Sequence, residues 1–176
     1  ISTSLWYSHS KPRINPHQAE LDYQIASQCS DPEYAKVVEQ SQREIVGKLF
    51  AGVPKDAAIL DVGCGDGVTL RILEEAGFTC VSGIDLLVAN RRTDLIIDMG
   101  DMHNMDMFAD SSSDVIYCSH ALEHAYDPLL ALSEFKRVLK PNGRLLLVLP
   151  YPDVIDSDHR AKAHCGAEAL GLTKHD

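Results

Sequence analysis

The sequence predicts an α/β fold built on a doubly wound, mostly parallel β-sheet. Two observations lead to this prediction. Segments with the apolar composition of strands alternate along the chain with segments whose apolar residues have helical spacing. The strand segments also read as continuous apolar runs, which is typical of parallel strands covered on both faces. Right-handed crossovers between such strands then produce a doubly wound sheet.

The helix that precedes the sheet begins with clear start signals. Asp31 suits the N-cap, Pro32 the first helical position and Glu33 the first turn. Apolar residues at helical spacing follow, so we expect this helix to run to about Phe50.

The remaining elements follow after a loop at 52–56. The pattern predicts a strand at 57–62, a helix at 68–78, strands at 79–86, 94–99 and 114–120, a helix at 127–140 capped by Asp127, a turn at 141–143 and a fifth strand at 144–150.

Three segments lie outside this regular pattern. Residues 1–30 are polar with scattered aromatic side chains, so we expect a lid or a tail that precedes a single domain at 31–176. The connection between Asp85 and Asp101 is short, so its helix has one turn or is absent. The segment after Tyr151 shows no strand pattern, and we therefore expect a sheet shortened at the C-terminus.

Composition disfavours several classes of partner. The net charge is −10, with 26 acidic against 16 basic residues, which disfavours nucleic acid and anionic membranes. No apolar stretch approaches the roughly 20 residues of a membrane span. The five cysteines are odd in number and lack metal-type spacing, which indicates reduced thiols and a cytoplasmic location. A homodimer is compatible with this composition.

A glycine-rich turn follows the first predicted strand. Gly63, Gly65 and Gly67 alternate there, just after Asp61 and just before a helix. Missing Cβ atoms allow a tight turn and close approach of a ligand to the main chain, and the helix N-terminus offers unpaired N–H groups. A tight turn without a ligand is the alternative. A dinucleotide fingerprint would need glycine at position 68, where Val68 stands, so a nicotinamide cofactor is disfavoured.

Asp85 ends the second predicted strand. Carboxyl ends of parallel strands meet at one edge of the sheet, so this carboxylate is expected near the glycine turn. Its two oxygen atoms are suited to accept hydrogen bonds from a ribose diol.

Five segments in order resemble class I S-adenosylmethionine-dependent methyltransferases, most closely the methyltransferase type 11 group. They are "ILDVGCGDG", "GIDL", "GDMHNM", "DVIYCSHALEHAYDP" and "EFKRVLKPNGRLLLVLP", and the resemblance covers about residues 57–151. It implies a Rossmann-like fold, S-adenosyl-L-methionine as the cofactor, S-adenosyl-L-homocysteine as its product, and a small-molecule methyl acceptor.

The same resemblance assigns residues to parts of the cofactor. The glycine turn would receive the amino-acid half, with Asp61 near its ammonium group. Asp85 would bind the ribose hydroxyls, and Asp101 the adenine amino group, with Met102 against the ring. Ser119 would lie near the methionine portion. The full set expected to bind the cofactor is Asp61, Gly63, Cys64, Gly65, Gly67, Asp85, Leu86, Asp101, Met102 and Ser119.

His120 is the candidate catalytic residue. It follows the fourth strand, beside the expected methyl position, and an imidazole is suited to proton transfer near neutrality. A histidine hydrogen-bonded within a loop is the alternative. His120, Glu123 and His124 also spell H-x-x-E-H, which resembles metal-dependent O-methyltransferases, and His159 or His164 could complete such a site. We assign no metal, because L-E-H also occurs in type 11 sequences without one.

Two functions remain open at this point. The first is methyl transfer to a small molecule. The second is a catalytically silent S-adenosylmethionine-binding module that serves as a partner or regulatory subunit. Both require the three acidic residues, and the short C-terminal region favours the second function slightly.

Overall fold

The computed structural model describes residues 32–86, 94–150 and 167–173, and it confirms the α/β fold. Helix α1 spans Pro32–Leu49, α2 spans Val68–Glu75 and α3 spans Pro128–Val138. Strands β1 to β6 are Ile59–Val62, Val81–Asp85, Ile97–Met99, Ser113–Ser119, Leu139–Pro150 and Ala167–Thr173. A single 3₁₀ turn, Leu122–His124, lies between β4 and α3.

The six strands form one sheet in the order β3-β2-β1-β4-β5-β6. All neighbouring pairs are parallel except β5 and β6, which are antiparallel. Strand order reverses between β1 and β4. In such sheets the crevice beyond the carboxyl ends of the strands at this reversal is the usual place for a ligand.

The central strands β1 and β4 are buried on both faces of the sheet, which explains their continuous apolar runs. Along β4, Val115 and Tyr117 pack into one hydrophobic cluster, whereas Ile116 and Cys118 pack into the other. Helices α1 and α2 cover the first face and α3 covers the second. Successive side chains of a strand point to opposite faces, so every residue of β4 in this run is apolar.

Helix α3 holds the segment that follows β3. The Arg137 guanidinium donates hydrogen bonds to the carbonyl oxygens of Met105 and Phe108, at 2.9 and 2.8 Å. Glu134 accepts a hydrogen bond from the Met105 amide at 2.8 Å. These contacts fix the chain at 105–108, between β3 and β4, and therefore also hold the residues at 101–103 just before it.

The N-terminal helix and the Asp127 cap agree with the sequence prediction. Helix α1 ends one residue before the expected Phe50. The Asp127 carboxylate accepts hydrogen bonds from the Leu129 and Leu130 amides, both at 3.1 Å, and so caps α3.

The end of the sheet differs from the predicted elements in two details. The predicted turn at 141–143 lies inside β5, where Asn142 has a φ of 62° and the pairing register with β4 shifts between Ser113 and Val115. The Pro-Asn-Gly sequence therefore makes a bulge in the strand and does not end it. A strand also forms after Tyr151, because β6 pairs with the outer edge of β5. Its alanine and glycine residues have low β propensity, which hid it from the sequence pattern.

Several expectations fall outside the described residues. They concern the segment at 1–30, the N-cap at Asp31, the connection at 87–93, and His159 and His164. Within the described ranges, none of the helices is long and apolar enough to cross a membrane.

Candidate functional site

A cleft opens at the carboxyl ends of β1, β2 and β4, where the strand order reverses. The space within it, counted together with its open mouth, is about 540 Å³. Six of the predicted residues line it: Gly63, Asp85, Leu86, Asp101, Met102 and His120. The lining also includes His103 and His124, which the sequence analysis did not assign to a cofactor or to catalysis.

The other predicted residues do not line the cleft. Asp61 and the Cys64 of the turn are buried, Gly65 lies in the turn next to the cleft lining, and Gly67 directly precedes α2. Burial raises the pKa of the Cys64 thiol far above its usual range, so this thiol is protonated at neutral pH. Ser119 faces helix α1, where its hydroxyl accepts a hydrogen bond from the Gln42 side chain at 3.3 Å.

Gln42 connects three elements at this end of the sheet. Its amide oxygen accepts hydrogen bonds from the Tyr117 hydroxyl at 2.9 Å and from the Thr69 hydroxyl at 3.4 Å, while its nitrogen donates to Ser119. Helix α1 is thereby fixed to α2 and to the end of β4. No motif marks Gln42, since a polar residue on a helix usually faces solvent.

The glycines of the turn serve different purposes. A Cβ atom added at Gly63, which has a φ of 77°, would lie 2.3 Å from the Cβ of Ala121. Close packing of the β1 turn against the residue after His120 therefore requires glycine at this position. Gly65 has a φ of 53°, and nothing lies within 4 Å of a Cβ built there. Gly65 thus leaves an open space above the turn that a ligand can approach.

Asp85 joins the second strand to the glycine turn. One of its carboxylate oxygens accepts a hydrogen bond from the Gly65 amide at 2.8 Å, and the residue is 8% exposed. The carboxylate of β2 and the main chain of the β1 turn therefore form one wall of the cleft.

Asp61 is a buried acid directly behind this wall. It is 2% exposed, and its Oδ2 atom has no hydrogen-bond partner among the described residues. Burial, together with the negative charge of Asp85, raises the pKa of Asp61 to about 8. A positive charge placed near the turn would stabilise the ionised form of this carboxyl group.

His120 has an unusual backbone for its residue type. Its φ is 52°, in the left-handed region, and its amide donates a hydrogen bond to the Val148 carbonyl of β5 at 2.9 Å. The side chain is 14% exposed, and its Nδ1 lies 3.6 Å from an Oε1 of Glu123. Strained backbone of this kind often accompanies a functional position.

The donor set of the cleft favours one kind of ligand. Its described lining contains Asp85 and Asp101 and neither lysine nor arginine, so it is poorly suited to phosphate groups. In the described part of the chain, no group of three or more His, Cys, Asp and Glu side chains could hold a metal ion. An uncharged nucleoside part and a nearby cationic group fit these residues, and S-adenosylmethionine has both.

Comparison with known proteins identifies the family. The sequence profile of the methyltransferase domain matches residues 34–173, which is most of the chain. The chain belongs to the class I S-adenosylmethionine-dependent methyltransferase family.

Individual relatives are named as methyltransferases of different acceptors. The domain is 33% identical over 101 residues to a ubiquinone biosynthesis O-methyltransferase of Histophilus somni, covering 49% of this chain and 42% of the relative. It is 30% identical over 124 residues to a thiol S-methyltransferase of Mus musculus, covering 62% and 50%. The chain thus spans half or less of the length of these curated relatives.

A solved structure shows the same architecture. The YcgJ protein from Bacillus subtilis superposes with a TM-score of 0.55 at 27% identity, covering 64% of this chain and 51% of that protein.

Gly63→Ala tests the close contact with Ala121. We expect it to lower the free energy of unfolding by about 1–3 kcal/mol more than Gly52→Ala does. Gly52 is a matched control, because its φ is also 77° but nothing lies within 4 Å of a Cβ at that position. Urea unfolding of both variants measures the difference. Equal losses would show that only the backbone conformation matters at Gly63.

Asp61→Asn tests the burial of the acid. The unfolded-state pKa is near 3.8 and the folded-state pKa is about 8, so between these pH values only the unfolded state releases the proton. The free energy of unfolding of the wild type should therefore fall as pH rises from about 4 to 8, by at most about 1.4 kcal/mol per pH unit, and then level off.

The Asp61→Asn variant lacks the pH-dependent contribution of Asp61 to stability and keeps the other titrating groups of the wild type. Its stability relative to wild type, measured without ligand, should rise across the same pH range. Parallel stability curves for the two proteins would contradict the raised pKa of Asp61.

Proposed function

We propose that this domain binds S-adenosylmethionine and transfers its methyl group to a small-molecule acceptor. The observation that carries the proposal is the hydrogen bond between the Gly65 amide and the Asp85 carboxylate. It joins the glycine turn to the acid of β2 at the carboxyl edge of the sheet, beside His120, in a cleft without lysine or arginine among its described residues.

Each acid has a proposed place in cofactor binding. Asp85 accepts the ribose hydroxyls, Asp101 accepts the adenine amino group, and Met102 packs against the ring. The turn with Gly65 receives the amino-acid portion, and Asp61 stabilises its ammonium charge from behind. When bound, S-adenosylmethionine supplies a methyl group on a positively charged sulfur, which needs little further activation.

The residues around His120 have the remaining tasks of holding the acceptor and removing its proton. We propose that His120 is the general base, because its side chain lines the cleft between the turn and the 3₁₀ segment. Rigid placement of the base favours proton transfer, and the Val148 hydrogen bond of its amide provides it. The named relatives methylate oxygen and sulfur, and an acceptor of either kind carries a removable proton.

Location and assembly remain part of the proposal. The thiols of Cys64, Cys80 and Cys118 are free, which supports a reducing compartment such as the cytoplasm. The lack of a nucleic-acid partner is proposed on the net charge of −10, and a homodimer stays an untested proposal.

Calorimetric titration with S-adenosylhomocysteine tests the cofactor assignment. We expect binding to the wild type, no binding of NAD, and a more than tenfold loss of affinity for S-adenosylhomocysteine in Asp85→Ala, since hydrogen bonds to a charged group contribute roughly 1.5–3 kcal/mol each. Asp98→Ala, which removes an exposed acid of β3 outside the cleft, should bind as tightly as wild type. Unchanged affinity in Asp85→Ala would contradict the ribose assignment.

His120→Asn tests the general base. Asparagine tolerates the left-handed backbone at this position but does not accept a proton at neutral pH. With a panel of phenols and thiols as acceptors, we expect kcat to fall by about 10²–10⁴-fold while the affinity for S-adenosylhomocysteine is unchanged. Full activity in this variant would exclude His120 as the base. Cofactor binding without turnover of any acceptor by the wild type would favour the silent binding module.

A further inference from the structure

The carboxylate of Asp101 is held by His103 in two ways. Its Oδ1 atom accepts a hydrogen bond from the His103 amide at 2.9 Å, which closes a local turn of the main chain. The same oxygen lies 2.6 Å from Nδ1 of the His103 ring. The ring contact is short for a nitrogen–oxygen pair, as expected of a hydrogen bond to an ionised group.

The other ring nitrogen determines where the proton of His103 lies. Nε2 is 3.3 Å from the Asp127 amide, and a main-chain N–H only donates. Nε2 must therefore accept this bond, which places the proton of the neutral ring on Nδ1. Nδ1–H consequently donates to Asp101, and both ends of the imidazole have a defined partner.

The surroundings prevent the ring from turning away. The His103 side chain is 3% exposed, and its ring stacks on Tyr126 with 3.8 Å between ring centroids and 24° between planes. Asp127, which fixes Nε2 through its amide, also caps helix α3 through its carboxylate. The orientation of Asp101 is thereby connected to the start of α3.

We propose that His103 is a positioning residue that orients the Asp101 carboxylate toward the adenine amino group of the cofactor. The inference rests on the proposed function, because it concerns the ligand proposed for the same cleft. His103 makes the cofactor site selective for a purine that donates a hydrogen bond at position 6. A role in packing alone is the alternative, and it predicts no selectivity.

Two substitutions separate the two ends of the ring. The side-chain amide of asparagine reaches about as far from the main chain as Nδ1 of histidine does, and that of glutamine about as far as Nε2. His103→Asn therefore keeps a donor for Asp101 and loses the acceptor for the Asp127 amide. His103→Gln keeps the acceptor and loses the donor, and both variants lose the stacked ring.

Calorimetric titration of the full chain with S-adenosylhomocysteine and with S-inosylhomocysteine, in which an oxo group replaces the amino group, tests the proposal. We expect His103→Gln to bind S-adenosylhomocysteine about tenfold more weakly than wild type and to bind the inosine analogue unchanged. His103→Asn should retain wild-type affinity for both. In an Asp101→Asn background, His103→Gln should have no further effect, because the carboxylate it orients is absent.

Other outcomes overturn the proposal. If both variants bound both ligands as tightly as wild type does, the Nδ1 contact would be dispensable. If His103→Gln bound both ligands more weakly by the same factor, His103 would have a packing role only. If the wild type did not bind S-adenosylhomocysteine, the proposed function itself would fail. If the wild type bound S-adenosylhomocysteine and the variants had unchanged affinities, only the role of His103 would be overturned.

A measurement on the wild type covers the case in which His103→Gln does not fold. Long-range nitrogen–proton NMR spectra distinguish the two neutral tautomers of histidine, and His103→Asn assigns the signal. A proton on Nδ1 supports the donor role. A proton on Nε2 would exclude it, since His103 could not then donate to Asp101.

Discussion

The close approach of the β1 turn to the end of β4 is the constraint on which the candidate site depends. The space between Gly63 and Ala121 is too small for any side chain at position 63. This contact brings the glycine turn of one strand beside His120, which follows the strand next to it in the sheet. The reversal of strand order between β1 and β4 creates the crevice. Because Gly63 has no side chain, the turn after β1 can contact Ala121 at the bottom of this crevice.

Electrostatics gives this crevice its chemical character. Asp61 and Asp85 lie near enough for the negative charge of Asp85 to raise the pKa of Asp61. The hydrogen bond from the Gly65 amide stabilises the Asp85 carboxylate, while an oxygen of Asp61 stays without a partner among the described residues. A ligand with a cationic group would stabilise the ionised form of Asp61 as well. The site is therefore less stable alone than with such a ligand, which is common where binding residues are assembled before the ligand arrives.

Much of this arrangement could be predicted from the sequence because its signals are local. Alternating glycines after an apolar run predict a strand, a turn and a helix, and an acid at the end of a strand must lie at the edge of a parallel sheet. The contacts of Gln42 and His103 could not be predicted, because each depends on residues far apart in the chain: Gln42 with Tyr117, and His103 with Asp127. Strand β6 was missed because the alanine and glycine residues in its sequence have low β propensity, and its pairing partner β5 lies earlier in the chain.

The distinction between Gly63 and Gly65 illustrates the same limit. Both positions have positive φ, and the sequence assigned both to ligand binding. The structure separates them by what surrounds each one: Gly63 lines the cleft and also packs closely against Ala121, whereas nothing lies within 4 Å of a Cβ built at Gly65.

A crystal structure of the domain with S-adenosylhomocysteine is the decisive test of cofactor binding at the carboxyl edge of β1, β2 and β4. We expect the ligand in the cleft, with its ribose hydroxyls on Asp85, its adenine beside Asp101 and Met102, and its amino-acid portion over Gly65. A ligand bound elsewhere on the domain, or in the cleft with its ribose turned away from Asp85, would contradict this expectation.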